Sequence, residues 1–403
     1  MSWGTIPAPA VPCQRSCALV TVGATTTTGG MTLVSAGTVG LPGIALLSFA
    51  HPHQRGWASL FQASGRVHVA CAWDADQARG EAAAATLDVP FSADLDAVLG
   101  RDDVQAVTIC STNDTHADLA VAAAQAGKDI MMQKPMATTL VDCDRIVAAV
   151  ETADVRYYQS HNLRFDPVHQ EIKRLVAGGE LGRIASARRR HSHAFALLQP
   201  EVLDWMRDPG HGGGGAFMDE GAHVALWFLW MFGPPEAVTG FVTTSLTEQQ
   251  SGVEDGGTLL YRYASGMIGV HQSSWAELAS TSTVEISGDR AVIIATGTDI
   301  TAARSMSSDE PPLRVWRHNP SGPAVGPGPV PPDQPNPAGH WDDPQVALPR
   351  SRLQGTAEAF IQMLLEGTPS PADARTARTA VEMVLAGYQS SREGRTVTLP
   401  LRR

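Results

Sequence analysis

The chain has 403 residues, of which 43% are hydrophobic and 18% are charged, and its formal net charge is −11 at pH 7. This balance excludes a chain that is disordered throughout, and the length predicts about two domains. With no long basic run and no apolar stretch near the roughly 20 residues that cross a bilayer, the sequence argues against a nucleic-acid or membrane partner.

The N-terminal segment, residues 1–43, differs from the rest of the chain. It holds one charged side chain, Arg15, and lacks the basic and long apolar regions of a signal peptide. We interpret it as a disordered tail, or as an over-extended start with Met31 as the true initiator. A chain that begins at Met31 should therefore fold and keep its activity.

The cysteines bear on the cellular compartment. Cys13, Cys17, Cys71, Cys110 and Cys143 are odd in number and widely spread. Disulfide frameworks use even, dense sets, and zinc sites use paired short spacings, for which Cys13 and Cys17 have no matching second pair. The sequence therefore predicts reduced thiols in a cytoplasmic protein.

Strand and helix patterns alternate from Gly43 to about residue 152. Short buried apolar runs are each followed by a segment with helical spacing of its apolar residues. This alternation indicates a doubly wound parallel sheet whose ligand site lies at the carboxyl ends of the strands. We assign residues 44–160 to this domain. The predicted strands are 44–49, 67–73, 106–110 and 130–132, and the predicted helices are 53–64, 76–87, 94–99, 114–126 and 139–152.

The pattern changes after about residue 180, where strands follow one another without helices between them. This arrangement predicts a second, α+β domain over 161–403 with an open, mostly antiparallel sheet, so that the whole chain is α/β. The prolines concentrated in 311–350 predict a long extended loop there, and two helices close the chain. The predicted strands are 238–244, 258–263, 267–273, 283–287 and 291–295, and the closing helices are 353–366 and 373–391.

Asp74 stands at the end of the second predicted strand. In a dinucleotide-binding fold a carboxylate at this place accepts hydrogen bonds from the adenosine ribose diol and repels a 2′-phosphate. The alternative is an ordinary solvated turn residue. The strand spacing favours the first interpretation, so the sequence predicts NAD rather than NADP as the cofactor.

Lys134 follows the last predicted strand of the first domain, between Gln133 and Pro135. The proline fixes the turn and directs the lysine across the carboxyl edge of the sheet. A lysine in this position can hydrogen-bond a substrate hydroxyl and help to move its proton. For the tripeptide alone, a surface lysine beside a turn is the simpler interpretation.

Asp219 and His223 follow a run of four glycines. If a helix starts at Phe217, these two residues are four apart and share one face, so that the carboxylate can orient the imidazole. The glycines allow close approach of the backbone to a ligand. A capped core helix with a satisfied histidine is the alternative. We predict no metal site, because no third or fourth ligand follows at metal spacing.

These stretches, in this order, resemble the glucose–fructose oxidoreductase / inositol 2-dehydrogenase (Gfo/Idh/MocA) family from about Ile44 to Leu399. The resemblance implies an N-terminal Rossmann domain, a C-terminal α/β domain, and NAD(P)-dependent oxidation of sugar or cyclitol hydroxyls. Further matching segments are 111–116 (Ser-Thr-Asn-Asp-Thr-His), 162–167 (Asn-Leu-Arg-Phe-Asp-Pro), Trp205 with Arg207, and 388–395 (Tyr-Gln-Ser-Ser-Arg-Glu-Gly-Arg).

The resemblance also implies roles for individual residues. Lys134 matches the lysine of the family's Glu-Lys-Pro motif, and Asp219 and His223 match its Asp-x-Gly-x-His motif. Hydride passes to the nicotinamide, His223 or Lys134 takes the hydroxyl proton, and Asp219 holds the histidine. The implied cofactor-binding residues are Ser48, Phe49, Ala50, His51, His53, Asp74, Ser111, Thr112, Asn113, His116, Gln133, Lys134, Asn162 and Arg164. The implied substrate-binding residues are Lys134, Arg164, Trp205, Arg207, Asp219 and His223.

The sequence departs from the family pattern at three places. The usual Gly-x-Gly-x-x-Gly after the first strand is replaced by Ser-Phe-Ala-His-Pro-His over 48–53, although helix N-terminal amides can still bind a pyrophosphate. Gln133 replaces the motif glutamate and removes a charge beside the nicotinamide. Leu226 stands where a carboxylate often follows the histidine.

We therefore expect an NAD-dependent, cytoplasmic oxidoreductase that oxidises a secondary hydroxyl of a sugar, a sugar derivative or a cyclitol, or reduces the ketone. One alternative is an enzyme that cleaves glycosides by transient oxidation and elimination. Another is a non-catalytic dinucleotide-binding sensor, against which the presence of Lys134, Asp219 and His223 together argues. The strands between 258 and 295 are too apolar for a wet face, so we expect a homodimer or homotetramer.

Overall fold

The first of two β-sheets is small, parallel and built from the first half of the chain. The computed structural model describes residues 40–246, 252–278, 284–296, 311–322, 336–346 and 351–401. Within them, five parallel strands pair in the order β2-β1-β3-β4-β5. Strand β2 therefore lies on one side of β1, and β3, β4 and β5 follow one another on its other side. The strands are β1 (Gly43–Leu47), β2 (His68–Trp73), β3 (Ala106–Ile109), β4 (Asp129–Met132) and β5 (Tyr157–Gln159).

Helices cover this sheet and bury its strands. All five residues of β1 are buried, as a parallel strand with helices on both faces requires. Helix α1 buries Trp57 and Phe61 at helical spacing, and Asp76 caps α2 by accepting a hydrogen bond from the Arg79 amide. The helices are α1 (His53–Ser64), α2 (Gln77–Leu87), α3 (Leu95–Leu99), α4 (His116–Gln125) and α5 (Leu140–Ala153), with a 3₁₀ turn at Asn113–Thr115.

The second sheet is larger and mixed. Nine described strands pair in the order β13-β12-β11-β10-β6-β9-β8-β7-β14, and all of these pairs are antiparallel except β6 with β9. The strands are β6 (Ile184–Ser192), β7 (Ala237–Thr243), β8 (Gly256–Arg262), β9 (Ile268–Ser274), β10 (Val284–Gly288), β11 (Ala291–Ala295), β12 (Leu313–His318), β13 (Gly339–Asp342) and β14 (Val397–Thr398).

The helices of the second half include the one that carries part of the candidate site. Helix α9 contains a long apolar run, with Trp227 and Phe228 fully buried, and therefore packs in the interior. Its first two turns bring polar residues into the interior with it. The helices are α6 (Pro167–Ala177), α7 (Phe195–Leu198), α8 (Pro209–Gly212), α9 (Ala216–Phe232), α10 (Arg352–Glu366) and α11 (Ala374–Glu393), with 3₁₀ turns at Asn162–Phe165 and Pro200–Arg207.

The architecture is the α/β class predicted from the sequence, with a parallel sheet followed by a mostly antiparallel one. The extended loop predicted over 311–350 is wrong in part, because β12 and β13 lie within it. Leu313 and Val315 alternate with polar residues and are buried, but the surrounding prolines obscured this short alternation. The predicted N-terminal tail lies outside the described residues up to position 39.

Candidate functional site

The candidate site lies where the parallel strands end and meet the segment that leads into α9. His51 follows β1, Asn113 follows β3 and Lys134 follows β4, so the turns after three neighbouring strands meet at one edge. A cavity at this edge is lined by His51, Asn113, Lys134, Pro135, Trp205, Met206, Gly212, Gly214, Asp219 and Trp275.

The loop over 48–53 turns sharply after β1, although the glycines of the family pattern are replaced. Ser48 has a φ of 68°, in the left-handed region that a glycine usually occupies. Pro52 precedes α1 and provides no side-chain cap, and His51 takes its place by accepting from the His53 amide through Nδ1 and from the Gln54 amide through its carbonyl, each at 3.2 Å. Trp205 lies across this loop and donates from Nε1 to the Ala50 carbonyl at 3.2 Å.

Asp74 holds this loop and is not exposed to a ligand. Its carboxylate accepts from the Phe49 amide at 2.7 Å and from Arg79 Nε and Nη2 at 2.8 and 2.6 Å, while Ser48 Oγ donates at 3.3 Å. Burial raises the pKa of Asp74, but the hydrogen bonds from Arg79 and Phe49 more than offset this and leave it lowered. Protein donors contact both carboxylate oxygens, and the contact of Asp74 with a ribose diol stays a prediction.

Gln133 joins the two loop histidines. Its Nε2 lies 3.0 Å from Nε2 of His51, its Oε1 lies 3.4 Å from Nδ1 of His53, and Ser160 donates to the same Oε1 at 2.9 Å. Burial, with Lys134 nearby, lowers the pKa of His53 to about 4, and burial with His53 holds that of His51 well below its usual value. Both rings are therefore neutral near pH 7.

The segment after β3 supports the turn that carries Lys134. The buried His116 donates from Nδ1 to the Pro135 carbonyl at 2.8 Å, and Asn113 donates to the Gly212 carbonyl at 2.9 Å. Ser111 accepts from Thr115, and Thr112 precedes the 3₁₀ turn at 113–115. Burial lowers the pKa of His116 to about 4, which keeps it a neutral donor. These predicted cofactor residues therefore make contacts within the protein that fix the strand ends.

A buried ion pair at the cavity joins Lys134 of the first predicted domain to Asp219 of the second. Lys134 Nζ donates to Asp219 Oδ1 and lies 3.3 Å from its backbone carbonyl, while Trp275 Nε1 donates to Asp219 Oδ2 at 2.8 Å. Lys134 is 4% exposed. Burial raises the pKa of Asp219, but Lys134 and His193 hold it well below its usual value. Asp219 is therefore the carboxylate of this pair.

His223 does not bond to Asp219 in the described structure. The expectation that Asp219 orients His223 is wrong, because the carboxylate is taken by Lys134 and Trp275. The His223 ring packs edge-on against His191, with centroids 5.1 Å apart, and its buried Nδ1 has no hydrogen-bond partner among the described residues. Burial, Lys134 and His191 hold the pKa of His223 well below its usual value, so the imidazole is neutral.

Glu220 is a second buried carboxylate beside Asp219, and the sequence analysis missed it. Its Oε2 lies 2.8 Å from His191 Nε2, and its Oε1 lies 3.6 Å from His193 Nε2. Burial raises the pKa of Glu220, but His191 and His193 outweigh this and lower it. The packing of β6 against α9 brings these histidines to Glu220, and a pairing between segments so far apart is not a local property of the sequence. Arg79 and Trp275 were also missed.

Two of the glycines before α9 lie close to other protein segments, whereas Gly212 and Gly214 line the cavity. Gly213 has a φ of 75°, and a Cβ there would overlap Thr138. A Cβ at Gly215 would overlap the backbone of Glu254, whose carboxylate accepts from the amides of Gly215 and Phe217 at 2.9 and 3.0 Å. The glycines thus fix the position of the helix start and of the site residues on it.

Two residues that the family resemblance places at the cofactor, Asn162 and Arg164, bond to the helices and loops of the C-terminal end of the chain. Asn162 accepts from Thr356 at 2.8 Å, and Arg164 donates to the Pro371 carbonyl at 2.6 Å and lies over the Trp230 ring. No described hydrogen bond connects either residue to the cavity. Arg207, also predicted to bind substrate, is half-buried at the end of the 3₁₀ segment that carries Trp205.

Two family models match the chain. One is described as an oxidoreductase family with an NAD-binding Rossmann fold and matches residues 37–161. The other is described as a GFO/IDH/MocA C-terminal domain and matches residues 169–294. Together they cover both sheets up to β11.

Curated relatives share parts of this sequence. A 1,5-anhydro-D-fructose reductase of Ensifer adhaerens is 31% identical over 49% of this chain and 58% of its own length. A myo-inositol 2-dehydrogenase of Thermotoga maritima is 28% identical over 43% of this chain and 50% of its own length. The chain thus spans about half the length of these relatives. A D-apiose dehydrogenase of Paraburkholderia graminis is 27% identical over 87% of each chain.

Solved structures share the fold. The WlbA dehydrogenase from Bordetella pertussis, in complex with NADH and UDP-GlcNAcA, superposes with a TM-score of 0.71 at 21% identity, over 90% of this chain and 99% of that one. At this identity the likeness establishes the fold only. None of the described helices has the length and apolar character needed to cross a membrane.

Proposed function

The chain belongs to the GFO/IDH/MocA family of NAD-binding oxidoreductases, and from this premise we propose that it oxidises a secondary hydroxyl of a sugar, a sugar derivative or a cyclitol. The reverse reaction is reduction of the corresponding ketone. The names of the relatives, which include an anhydrofructose reductase and an inositol dehydrogenase, support this substrate class.

The observation that carries the proposal is the buried Lys134–Asp219 ion pair at the carboxyl edge of the parallel sheet. Nicotinamide chemistry at this edge needs a group that exchanges a proton with the reacting oxygen. Lys134 is paired with Asp219 and faces the cavity beside His51 and Trp205. A structural pair would not need to line a cavity.

The bound nicotinamide supplies a hydride acceptor or donor, and the chain supplies the proton transfer. In ketone reduction, the Lys134 ammonium donates its proton to the oxygen on which negative charge develops, and Asp219 keeps the amine in place. Oxidation is the reverse step, in which the amine form of Lys134 accepts the hydroxyl proton and becomes the ammonium. His223, neutral and with an unpaired Nδ1, is the second candidate for this transfer.

The residues around the first strand fit a dinucleotide. The left-handed Ser48 turns the chain sharply at the end of β1, and the positive end of the α1 dipole lies behind this turn, where a pyrophosphate would bind if it displaced the long 3.2 Å contact of the His53 amide with His51. We propose NAD rather than NADP, because Arg79 is already bonded to Asp74 through two nitrogens and is not free to neutralise a 2′-phosphate.

The test is a panel of sugars, sugar derivatives and cyclitols, each assayed with NAD and NADP by the absorbance of the reduced nicotinamide. We expect one substrate class to reduce NAD, and turnover to depend on Lys134. Cleavage of an aryl glycoside without net NAD reduction would identify the transient-oxidation chemistry instead. Binding of NAD without turnover of any compound, or turnover that survives Lys134→Ala, would contradict the proposal.

We also propose that the protein forms a homodimer or homotetramer through the larger sheet. On the face of β7, β8 and β9 that points away from the core, Phe241, Leu260 and Ile268 are 75%, 38% and 39% exposed. A second copy of the chain would cover this apolar patch. Phe241→Glu should shift the mass in light scattering to the monomer. Val141→Glu, at an exposed apolar residue of α5, should leave it unchanged. A monomeric wild type would refute the proposal.

A further inference from the structure

Five buried side chains with metal-binding atoms meet between β6 and α9. His191 lies near the end of β6 and His193 directly follows the strand, and Nε2 of both rings lies near Glu220, at 2.8 and 3.6 Å from its oxygens. Glu220 and His223 are three apart on α9 and share one face of the helix, next to Asp219. The two pairs face each other across the interior, which the sequence separation of about thirty residues concealed.

From this arrangement we propose that His191, Glu220 and His223 bind a divalent transition-metal ion. One ligand atom from each of these three residues lies within 4.8 Å of the others, and their residues are 5%, 8% and 7% exposed. A second combination, His193 with Asp219 and Glu220, meets the same distance and shares Glu220. The cluster is thus centred on the Glu220 carboxylate.

Unsatisfied polar atoms point to a missing partner in the first combination. Nδ1 of His223 is buried and accepts or donates no hydrogen bond within the described part of the chain. Glu220 Oε2 lies 2.8 Å from His191 Nε2 and its Oε1 lies 3.6 Å from His193 Nε2, so the carboxylate, which can accept about four hydrogen bonds, has capacity left for an ion. A buried ring nitrogen is rarely left without a partner, and an ion between Glu220 and His223 would provide one.

The second combination is the poorer site. Asp219 already receives Lys134 on one oxygen and Trp275 on the other, so it has less capacity for an ion. The His193 Nδ1 accepts from the Phe195 amide at 3.2 Å, which places the ring proton on the nitrogen that faces the carboxylates. We therefore assign the ion to His191, Glu220 and His223.

Binding also requires a small rearrangement at His191. Its Nδ1 lies 3.3 Å from Arg189 Nη2, a long contact that must open when Nε2 binds the ion and the proton moves to Nδ1. Arg189 keeps its bond to the Arg190 carbonyl and its place over the Trp227 ring. The charge of Lys134 is offset by Asp219 and does not oppose the ion strongly.

The donor set indicates the kind of ion. Two imidazoles and one carboxylate bind Zn²⁺ and other first-row divalent ions, whereas Mg²⁺ and Ca²⁺ prefer oxygen ligands throughout. Three protein ligands leave coordination positions for water or a substrate oxygen. His223 would then be a ligand, and Lys134 would remain as the group that exchanges the proton. The metal site itself does not depend on the proposed reaction.

The test is metal binding by the full-length protein, with no turnover measured. Protein stripped with a chelator is titrated with Zn²⁺ or Co²⁺, desalted and analysed for metal, and its melting temperature is recorded. We expect one ion per chain, visible Co²⁺ absorption bands and a melting temperature that rises with Zn²⁺. Glu220→Gln and His223→Ala should each weaken binding beyond the roughly 10–100-fold cost of losing an outer-shell partner.

Two controls keep the result interpretable. Glu220→Gln retains the shape of the side chain, so a normal melting temperature without metal shows that loss of binding is not loss of fold. His340→Ala removes an exposed histidine that lies 3.3 Å from Asp342 and should keep full binding. Less than stoichiometric metal in the wild type, or equal binding by the Glu220 and His223 variants, would overturn the site.

Discussion

Two buried aspartates are each paired with a cation at the carboxyl edge of the parallel sheet, and the two pairs differ in their partners and in their exposure. Asp74 is bonded to Arg79, five residues away, and to the Phe49 amide of the neighbouring loop. Asp219 is bonded to Lys134, eighty-five residues away, and to Trp275. Arg79 is 34% exposed at the surface, whereas Lys134 is 4% exposed and lines a cavity.

The difference separates a structural pair from a chemical one. Around Asp74, donors from the protein occupy both oxygens, so the pair fixes the loop and has little capacity left for a ligand. Around Asp219 lie a cavity, a second carboxylate at Glu220 and an imidazole at His223 with an unpaired nitrogen. Perturbed and incompletely satisfied groups of this kind cluster at functional sites.

The largest expected effect comes from removing the cation of the second pair. Lys134→Ala should lower turnover by about 10²–10⁴, the usual contribution of a general acid or base, while NAD affinity is retained. The measurement is turnover of the substrate that the panel identifies, beside NAD affinity by fluorescence quenching. Lys128→Ala, at the opposite end of β4, is the matched control and should keep both. Normal turnover by Lys134→Ala would favour the sensor interpretation.

Removing the anion of the same pair should cost stability as well as activity. Asp219→Asn leaves the Lys134 ammonium buried without its counter-charge, which typically costs about 3–5 kcal/mol in the free energy of unfolding. Urea unfolding and turnover on the same preparation measure both losses. If turnover falls while the free energy of unfolding is unchanged, the ion pair does not contribute to the stability of the fold.

The first pair should respond mainly in stability and cofactor choice. Asp74→Asn weakens the bonds to Phe49 and Arg79, and we expect a loss of about 1–3 kcal/mol at pH 7. Because the folded pKa of Asp74 is lowered, its contribution is present above the unfolded pKa near ~3.9 and is lost as pH falls below it. Released Arg79 should also improve NADP binding relative to NAD. An unchanged ratio of the two affinities would refute the proposed basis of NAD preference.

The smallest effect is expected at Ser48, whose left-handed backbone costs about 1–2 kcal/mol in a non-glycine residue. Ser48→Gly relieves this strain but loses the contact to Asp74, so the net change in stability should be about 1 kcal/mol or less. NAD binding should persist. Ser48→Val, which is β-branched, should destabilise the loop and weaken NAD binding, and equal behaviour of the two variants would argue against a dinucleotide turn.

Local patterns were sufficient for most of the fold. Alternation of buried runs with helical spacing gave the parallel sheet, and α1 spans the predicted residues 53–64 because Trp57 and Phe61 repeat at helical spacing. Patterns failed where local signals conflicted. Strand β12 was missed because prolines surround its short alternation, and β6 was missed because three arginines interrupt its apolar character. Arg189 is nevertheless fully buried, over the Trp227 ring.

For the site, the sequence by itself determined which residue types follow the strands and which share a face of α9. The positions of Lys134, Asp219 and His223 follow from spacing, since a strand end and a helix face are local properties. Only the tertiary structure decided their partners. Asp219 bonds to Lys134 instead of His223, and Glu220 meets His191, because contacts between segments far apart in the chain depend on how sheets and helices pack, which no local period encodes.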